Sequence, residues 1–509
     1  MISLSLVAFS AVSSPTPTCD VCTLILTAVD NLAENSTSLA RAIESLDKDC
    51  DKLFPPPSKL DKPCRALVNA TVNLLPLIVV KGLDSIAWDA AATCAALGAC
   101  EVPCCIGASD TSPEQLHLAL GATSSSMVAM WTTLSSTDSA VQYGVSPTAL
   151  ASTSVGTSAT YTNFGWRGQL HQATMTALDP DTVYYYQVGD EHTKSTVRSF
   201  RTLAADAGTD ATPLRVVSIA DMGYGNLSDD TVAAITRLAT ADPPLVDVII
   251  HNGDVGYADG DMHHWDVFMR KIEPIASRVP YMVSPGNHEF WFNFTAFKKR
   301  FSMPSADEPD GMFYTFSIGT GVAAAVPAVR FISMDTESAL DVAQITAPQL
   351  AWLKGVLPPQ SSSAPTRPRW TMAYGHRPLY CSNTGGQDIP GGNKVLQGRV
   401  EATLNDGGVD IVVQGHVHDY ERSLPMRNGQ PVAMNYSSPT APVYVVNGAA
   451  GNREDNDHAP GNAPWSPPGG VGRAHAVSYG VITITTSALK WEQIRSNDSR
   501  SIDEWTITK

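Results

Sequence analysis

The hydrophobic pattern changes period twice along the chain, near residues 108 and 209. Before the first change it is helical. Leu24, Ile25, Ala28, Val29 and Leu32 share one face at three- and four-residue spacing, and Leu39, Ala42, Ile43 and Leu46 share another. Phe54-Pro55-Pro56-Pro57 interrupts this region. Further apolar helices are predicted over roughly residues 64–80 and 83–97, the last stopped by Gly98. From 110 to 203 the pattern shortens to alternating runs at 116–120, 127–132, 141–144, 169–175, 183–188 and 199–202. Turn residues separate them, which predicts a β-sandwich with Trp131 as a core anchor.

From residue 212 onward the apolar runs read as buried strands, and five of them end in polar residues. The run 214–220 ends at Asp221-Met222-Gly223, and 246–251 ends at Asn252-Gly253-Asp254, with Tyr257 close behind. The run 281–284 leads to Gly286-Asn287-His288-Glu289, 370–374 to Gly375-His376-Arg377, and 409–414 to Gly415-His416-Val417-His418. Ligand sites of α/β folds collect at the carboxyl ends of strands, and the glycines let the chain turn sharply toward a ligand. Asp221, Asp254, Asn287, His376, His416 and His418 are good metal ligands, and Tyr257 as phenolate is a hard, anionic one. Seven groups exceed the need of one cation. They suit two ions about 3.5–4 Å apart with one carboxylate bridging. One residue separates His416 from His418, so each is aimed at a different ion. His117, His171, His192, His251, His263, His264, His458 and His475 read as structural or solvent-exposed.

Length and composition narrow the classes. The 509 residues allow three or four domains, and 43% apolar with 17% charged residues is globular. The net charge of −16 disfavours a nucleic-acid partner. It leaves a phosphorylated substrate open, because metal ions supply positive charge locally. Residues 1–14 hold an apolar stretch followed by Ser13 and Ser14, a signal peptide of atypical form with no Lys or Arg before the apolar part. No later run reaches the ~18 apolar residues of a membrane span. Sequons stand at Asn35, Asn69, Asn226, Asn293, Asn435 and Asn497. Leader, sequons and cysteines together point to a secreted, lysosomal or vacuolar protein.

Eight of the nine cysteines precede residue 106. Such density behind a leader implies disulfides among Cys19, Cys22, Cys50, Cys64, Cys94 and Cys100. A zinc site is the alternative, but the later pairs lack tight ligand spacing and no His precedes residue 117. Cys104, Cys105 and Cys381 are left over, an odd number. The spacing of the first six resembles that of the saposin family over residues 15–101. The resemblance implies bridges Cys19–Cys100, Cys22–Cys94 and Cys50–Cys64, and an all-α leaf able to contact lipid. A helical spacer that packs on its neighbour is the other reading of this region.

The stretch Leu178-Asp179-Pro180-Asp181-Thr182-Val183-Tyr184 resembles the tyrosine corner of fibronectin type III domains. The five strand-end motifs, with Gly253-Asp254-Val255-Gly256-Tyr257-Ala258-Asp259-Gly260 and Gly415-His416-Val417-His418-Asp419-Tyr420-Glu421-Arg422, resemble the metallophosphoesterases, specifically the purple acid phosphatases. This resemblance covers about residues 112–509. It implies a four-layer α/β catalytic domain, two mixed sheets flanked by helices. With the leader and the saposin resemblance the chain is expected to be multidomain: signal peptide 1–14, saposin-like domain 15–107, fibronectin III-like domain 108–208 and catalytic domain 209–509.

The resemblance further implies that Asp221, Tyr257 and His418 hold Fe(III), that Asn287, His376 and His416 hold a divalent Fe, Zn or Mn, and that Asp254 bridges. The expected activity is acid hydrolysis of phosphomonoesters by a hydroxide activated at this Fe(III)–M(II) centre. His288 is the candidate proton donor to the leaving oxygen, with an outer hydrogen bond to the centre as its other role. Substrate-contacting histidines that some members carry soon after the His376 position are absent from Tyr380-Cys381-Ser382-Asn383-Thr384-Gly385-Gly386. The alternative is a phosphodiesterase resembling acid sphingomyelinase, which carries Asp-x-His in the first motif where this chain has Asp221-Met222-Gly223. The third class is a non-enzymatic lipid-binding protein, whose mark would be a missing ligand.

Overall fold

The computed structural model describes residues 102–103, 109–304, 310–320, 326–337, 345–359, 367–383, 391–456 and 461–509. The leader, the helices and six cysteines of the saposin-like region, Cys104, Cys105, His458, Asn35 and Asn69 lie outside the described residues. A small unit holds Val102–Pro103, paired in parallel with Trp166–Arg167. The elements described next belong to the larger unit, which the second helix below, Met262–Ala276, joins at His264.

Its first part is the expected β-sandwich. Strands β1 (Glu114–Leu120), β2 (Met127–Thr133), β6 (Gln169–Met175) and β5 (Thr157–Ala159) form one sheet in the order β1-β2-β6-β5. Strands β8 (Arg198–Arg201), β7 (Val183–Gly189), β3 (Ala140–Gly144) and β4 (Ser152–Val155) form the other in the order β8-β7-β3-β4. Alternation places Leu118, Ala129, Trp131, Val141, Tyr184, Tyr186 and Phe200 in one apolar cluster between them. The Tyr184 hydroxyl accepts from the Asp179 backbone N–H at 3.0 Å, the return bond of a tyrosine corner. The edge strands β4 and β5 were not expected: they are short, polar and largely exposed.

The second part carries two mixed sheets. The first runs β11 (Tyr281–Ser284), β10 (Val248–Asn252), β9 (Leu214–Ile219), β19 (Ser478–Ile484), β20 (Ala488–Arg495), β21 (Ser501–Thr508). The second runs β12 (Tyr314–Thr320), β13 (Pro327–Ser333), β14 (Trp370–Tyr374), β15 (Ile411–Gln414), β17 (Val443–Asn447), β16 (Tyr420–Arg422), β18 (Arg473–Ala474). Strands β9, β10 and β11 are parallel, as are β13, β14, β15 and β17. Asn447 joins the sheets, donating to the Ser218 carbonyl at 2.8 Å and accepting from Gln493 at 2.9 Å. The helices are α1 (Asp229–Thr240), α2 (Met262–Ala276), α3 (Trp291–Arg300), α4 (Ala347–Val356) and α5 (Lys394–Asp406). Leu353 of α4 and Leu396, Val400 and Leu404 of α5 pack with Ile332, Ala373, Val412 and Tyr444, covering the second sheet.

A buried polar knot holds the sandwich to the catalytic layers. Arg300 pairs with Asp266 at 2.7 Å, and both side chains are essentially inaccessible. The Arg300 guanidinium also donates to Gln115 Oε1 at 2.9 Å and to the Tyr161 hydroxyl at 2.8 Å. Around it Arg270 meets Glu114 at 3.1 Å, Arg198 meets Glu273 at 2.9 Å, and the Tyr186 hydroxyl donates to the Ser277 carbonyl at 2.7 Å. The nitrogens of the buried cation face oxygens, which is the condition for tolerating charge away from water. Among the described residues no helix is long and apolar enough to cross a membrane.

Candidate metal centre

Asp221 follows β9, Asp254 follows β10, Asn287 follows β11, His376 follows β14, and His416 and His418 follow β15. The two sheets thus deliver the polar residues to one place by the carboxyl ends of their parallel strands. All seven are drawn together in two linked clusters. In one, His376 Nε2 lies 3.1 Å from Asp254 Oδ2, 3.1 Å from Asn287 Oδ1 and 3.2 Å from His416 Nδ1. The ligand atoms of Asp254, His376 and His416 all lie within 4.8 Å of one another. In the other, the Tyr257 hydroxyl lies 2.9 Å from His418 Nε2 and donates to Asp221 Oδ1 at 3.2 Å. The His416 backbone N–H donates to Asp221 Oδ2 at 2.9 Å and ties the clusters together.

Outer contacts aim each imidazole. His376 Nδ1 lies 3.3 Å from the Asn252 carbonyl and His418 Nδ1 lies 3.0 Å from the Asp455 carbonyl. A carbonyl only accepts, so each Nδ1 carries the hydrogen and each Nε2 presents its lone pair to its cluster. The Glu289 carboxylate accepts from the backbone N–H groups of Val255, Gly256 and Gly286 at 3.0, 3.3 and 2.9 Å, joining two site loops.

The expectation that glycines supply the sharp turns holds in part. Gly253 does so, with φ of 91°. The site residues themselves also bend left-handed: Asp221, Asp254, Tyr257 and His416 have φ of 57°, 47°, 50° and 71°. Gly286 has a different use. A Cβ there would sit 2.1 Å from Asp254 Oδ1, so only glycine admits the carboxylate at that point.

The electrostatics are those of a cation site. Burial opposes protonation of His376, but Asp254 and Asp221 outweigh it and push its pKa up to about 9. Burial likewise opposes the Asp254 carboxylate, yet His376 and His288 hold its pKa well below the usual carboxylate range. Burial, then Asp221 and Asp254, push the Tyr257 phenol well above its ordinary value. Converging anions and lone pairs are thus balanced by protons, and a multivalent cation is the species that replaces those protons. The donor set fits two kinds of ion. Asp221, Tyr257 and His418 combine hard anions with one imidazole, whereas Asn287, His376 and His416 are neutral.

His288 sits at the rim. Its Nε2 is 3.8 Å from Asp254 Oδ2 and 3.7 Å from Glu454 Oε1, and its backbone N–H donates to Asp254 Oδ1 at 2.8 Å. Burial opposes its protonation, but Asp254 and Asp259 prevail and push its pKa up to about 10. Asp259 also accepts from Arg453, whose Nη1 donates to the Tyr224 hydroxyl at 3.1 Å. Arg453 and Glu454 carry no signal in the sequence that links them to Asp259, Tyr224 and His288, all more than about 160 positions away. Asp259 lies within the motif after β10, five residues past Asp254, where spacing alone gave it no role.

The other histidines are elsewhere. His251 is buried behind the site, 2.8 Å from the Tyr281 hydroxyl, and burial pushes its pKa down to about 3. His192 and His475 are exposed, His263 is half-buried, and His264 stacks on Tyr224 at 4.0 Å. His117 and His171 are buried in the sandwich.

Three family models match the chain: Purple acid Phosphatase, N-terminal domain over residues 113–202, Calcineurin-like phosphoesterase over 214–420, and Iron/zinc purple acid phosphatase-like protein C over 441–504. The chain is 34% identical over 383 residues to acid phosphatase type 7 of Homo sapiens, covering 71% of this chain and 83% of that one. It is 30% identical over 417 residues to purple acid phosphatase 18 of Arabidopsis thaliana, covering 78% and 85%. The solved purple acid phosphatase from yellow lupin (Lupinus luteus) seeds shares the fold at a TM-score of 0.65 and 23% identity, over 78% of this chain and 74% of that one.

Proposed function

The chain belongs to the purple acid phosphatases and is a metal-dependent acid phosphatase, and from that premise we propose that it hydrolyses phosphomonoesters at the seven-residue centre described above. The observation that carries this reading is the convergence of Asp221, Tyr257 and His418 beside Asp254, Asn287, His376 and His416 at strand ends of both sheets. Asp221, Tyr257 and His418 would hold Fe(III); Asn287, His376 and His416 would hold divalent Fe, Zn or Mn; Asp254 would serve both. When bound, the ions supply positive charge for the phosphoryl oxygens and the acidity that turns water into a nucleophile.

The protein's own groups do the rest. Asp254 and Asp259 favour the protonated form of His288, and the Asp259 carboxylate fixes the ring by its Nδ1 side. That leaves Nε2–H to protonate the leaving oxygen. The buried carboxylates and their hydrogen-bonded loops hold the site's shape without reorganising during the reaction. The sphingomyelinase-like and non-enzymatic readings are not favoured: the relatives are acid phosphatases, and Met222 and Gly223 follow Asp221 where the diesterase motif needs His. The deciding experiment is metal analysis of the purified protein with a screen of phosphomonoesters against sphingomyelin and other diesters. An iron-free protein, or one that turns over diesters only, overturns this reading.

The remaining organisation is proposed on the sequence: a signal peptide at 1–14, a saposin-like domain at 15–107, a fibronectin III-like domain at 108–208 and the catalytic domain at 209–509. Secretion, or delivery to a lysosome or vacuole, follows from the leader. Four of the sequon residues, Asn226, Asn293, Asn435 and Asn497, are exposed, which supports glycosylation there. Residues 15–107 carry seven Lys and Arg against eleven Asp and Glu, net −4, so repulsion from anionic lipid fades as pH falls. The saposin-like domain would then dock the enzyme on membranes in an acidic compartment. Liposome flotation of the full chain at neutral and acidic pH tests this, and no binding at either pH leaves the domain a spacer.

A further inference from the structure

The segment after His376 lacks histidines, and Tyr380, Ser382 and Asn383, among its described residues, are committed to structure. The Tyr380 hydroxyl donates to Glu401 at 2.6 Å, the Ser382 backbone N–H donates to Glu421 at 2.7 Å, and Asn383 donates to Asp419 at 2.7 Å. Arg377 is placed differently. We propose that Arg377, acting with the Nε2 edge of His416, is the group that grips the substrate's phosphoryl oxygens and biases the enzyme toward monoesters over diesters. The proposal rests on the phosphatase reading above.

Arg377 is pinned at three points. Its backbone N–H donates to Thr336 Oγ1 at 3.1 Å, its carbonyl accepts from Gln414 Nε2 at 2.6 Å, and its Nε donates to Glu337 Oε2 at 3.0 Å. Glu337 is itself anchored, its backbone N–H donating to Asp335 at 2.8 Å and its Oε1 accepting from Thr336 at 2.8 Å. The guanidinium side chain keeps 20% of its surface exposed, whereas Glu337 keeps 5%. A cation is therefore held from one edge by Glu337 while its side chain stays partly exposed.

The outer edge meets the metal centre. Arg377 Nη1 lies 3.0 Å from His416 Nε2, while His416 Nδ1 faces His376 inside the cluster. Arginine nitrogens only donate, so this contact requires a lone pair on Nε2. A neutral imidazole that gives its Nδ1 lone pair to a cation carries its hydrogen on Nε2. An ion held by His416 Nδ1 would leave the hydrogen on Nε2, making it a donor, and two donors cannot bond each other. Both can bond the oxygens of one anion. With the centre loaded, the pair would be a two-pronged oxyanion grip. A phosphomonoester offers three non-bridging oxygens and inorganic phosphate four, whereas a diester offers two. A monoester that fills both prongs keeps one oxygen for the centre, whereas a diester that fills both keeps none.

The test uses the metal-loaded full chain and its R377Q, R377K and E337Q variants, with metal content and thermal unfolding recorded for each. Isothermal titration with inorganic phosphate reads binding without turnover. R377Q is expected to weaken phosphate about 10- to 100-fold, the factor for losing a charge-assisted hydrogen bond. Its kcat/KM should fall by a similar factor on p-nitrophenyl phosphate and severalfold less on bis(p-nitrophenyl) phosphate. R377K, which keeps the charge without the fork, should fall between. E337Q keeps the arginine and loosens its aim, so phosphate should weaken severalfold. Phosphate affinity of R377Q within twofold of wild type overturns the proposal, as do equal losses on monoester and diester. Should R377Q lose metal or fold poorly, unchanged phosphate affinity in E337Q overturns it instead. A wild-type protein that neither binds phosphate nor cleaves the monoester overturns the phosphatase reading along with it. A wild type that does both leaves that reading standing, and the variants then test Arg377 alone.

Discussion

His288 Nδ1 and Asp259 Oδ1 lie 2.5 Å apart, a carboxylate–imidazole pair on the rim of the metal centre. The pair fixes which nitrogen of His288 faces the site. His288→Ala is expected to slow hydrolysis of substrates with poor leaving groups by about 10²–10⁴. The loss should shrink on activated aryl phosphates, whose leaving oxygen departs without a proton. Asp259→Asn should slow the same substrates by a smaller factor. Steady-state rates over a leaving-group series check this, and equal losses across the series assign His288 to positioning.

Tyr257 is wholly buried, and its hydroxyl reaches both Asp221 and His418. As a phenolate on Fe(III) it should give the protein a visible charge-transfer band. Tyr257→Phe should bleach that band. An absorption spectrum beside an iron assay decides the matter: an active, colourless, iron-free enzyme contradicts the assignment.

The Arg300–Asp266 pair is sealed between the sandwich and α2. Removing one partner strands a buried charge, so Asp266→Ala and Arg300→Met should each destabilise the protein by ~3–5 kcal/mol. Gln115→Ala, which removes one neutral contact to each ion, should cost about 1–3 kcal/mol. Chemical denaturation at fixed metal content measures all three.

His171 carries a pH dependence remote from the metal centre. It is stacked on Trp131 at 5.2 Å, with its nitrogens 2.8 Å from Thr133 Oγ1 and 2.8 Å from Ser139 Oγ. Burial pushes its pKa down to about 4, against about 6.5 for the unfolded chain. The unfolded state therefore binds the proton first, and stability from this group, complete above about pH 6.5, declines as pH falls toward 4. His171→Gln should flatten that part of the stability–pH curve. Melting temperatures from pH 7 to pH 4 for both proteins would show it, and parallel curves would exclude the effect.

The strands that build the centre were legible because each is a short apolar run closed by glycine and a polar residue. Residues 281–284 and 370–374 are strands Tyr281–Ser284 and Trp370–Tyr374. The convergence of the seven residues was signalled in the same way, since each lies within about five residues of its strand's end. Strand Ser152–Val155 was not, because it lies at a sheet edge and pairs on one side only, so no alternating apolar face marks it. The contacts of Arg377 with Glu337 and of Arg453 with Asp259 were also hidden. They join residues that are distant in sequence: Glu337 and Arg377 meet once their two strands pair within the second sheet, Asp259 and Arg453 only once both sheets exist, and no local periodicity records either meeting. The fit of Gly286 against Asp254 is of the same kind.

The left-handed backbone at Asp221, Asp254, Tyr257 and His416 bears on the order of assembly. Each such residue costs of order 1–3 kcal/mol and persists only where its surroundings over-determine it. An unfolded chain has no such surroundings, so its ligand loops rest in other conformations and do not bring the seven groups together. Small zinc modules fold around their metal. Here the sheets must close first, and only the finished protein can be loaded. Refolding should therefore run at the same rate with or without metal present, and activity should appear afterwards as a separate, metal-dependent phase.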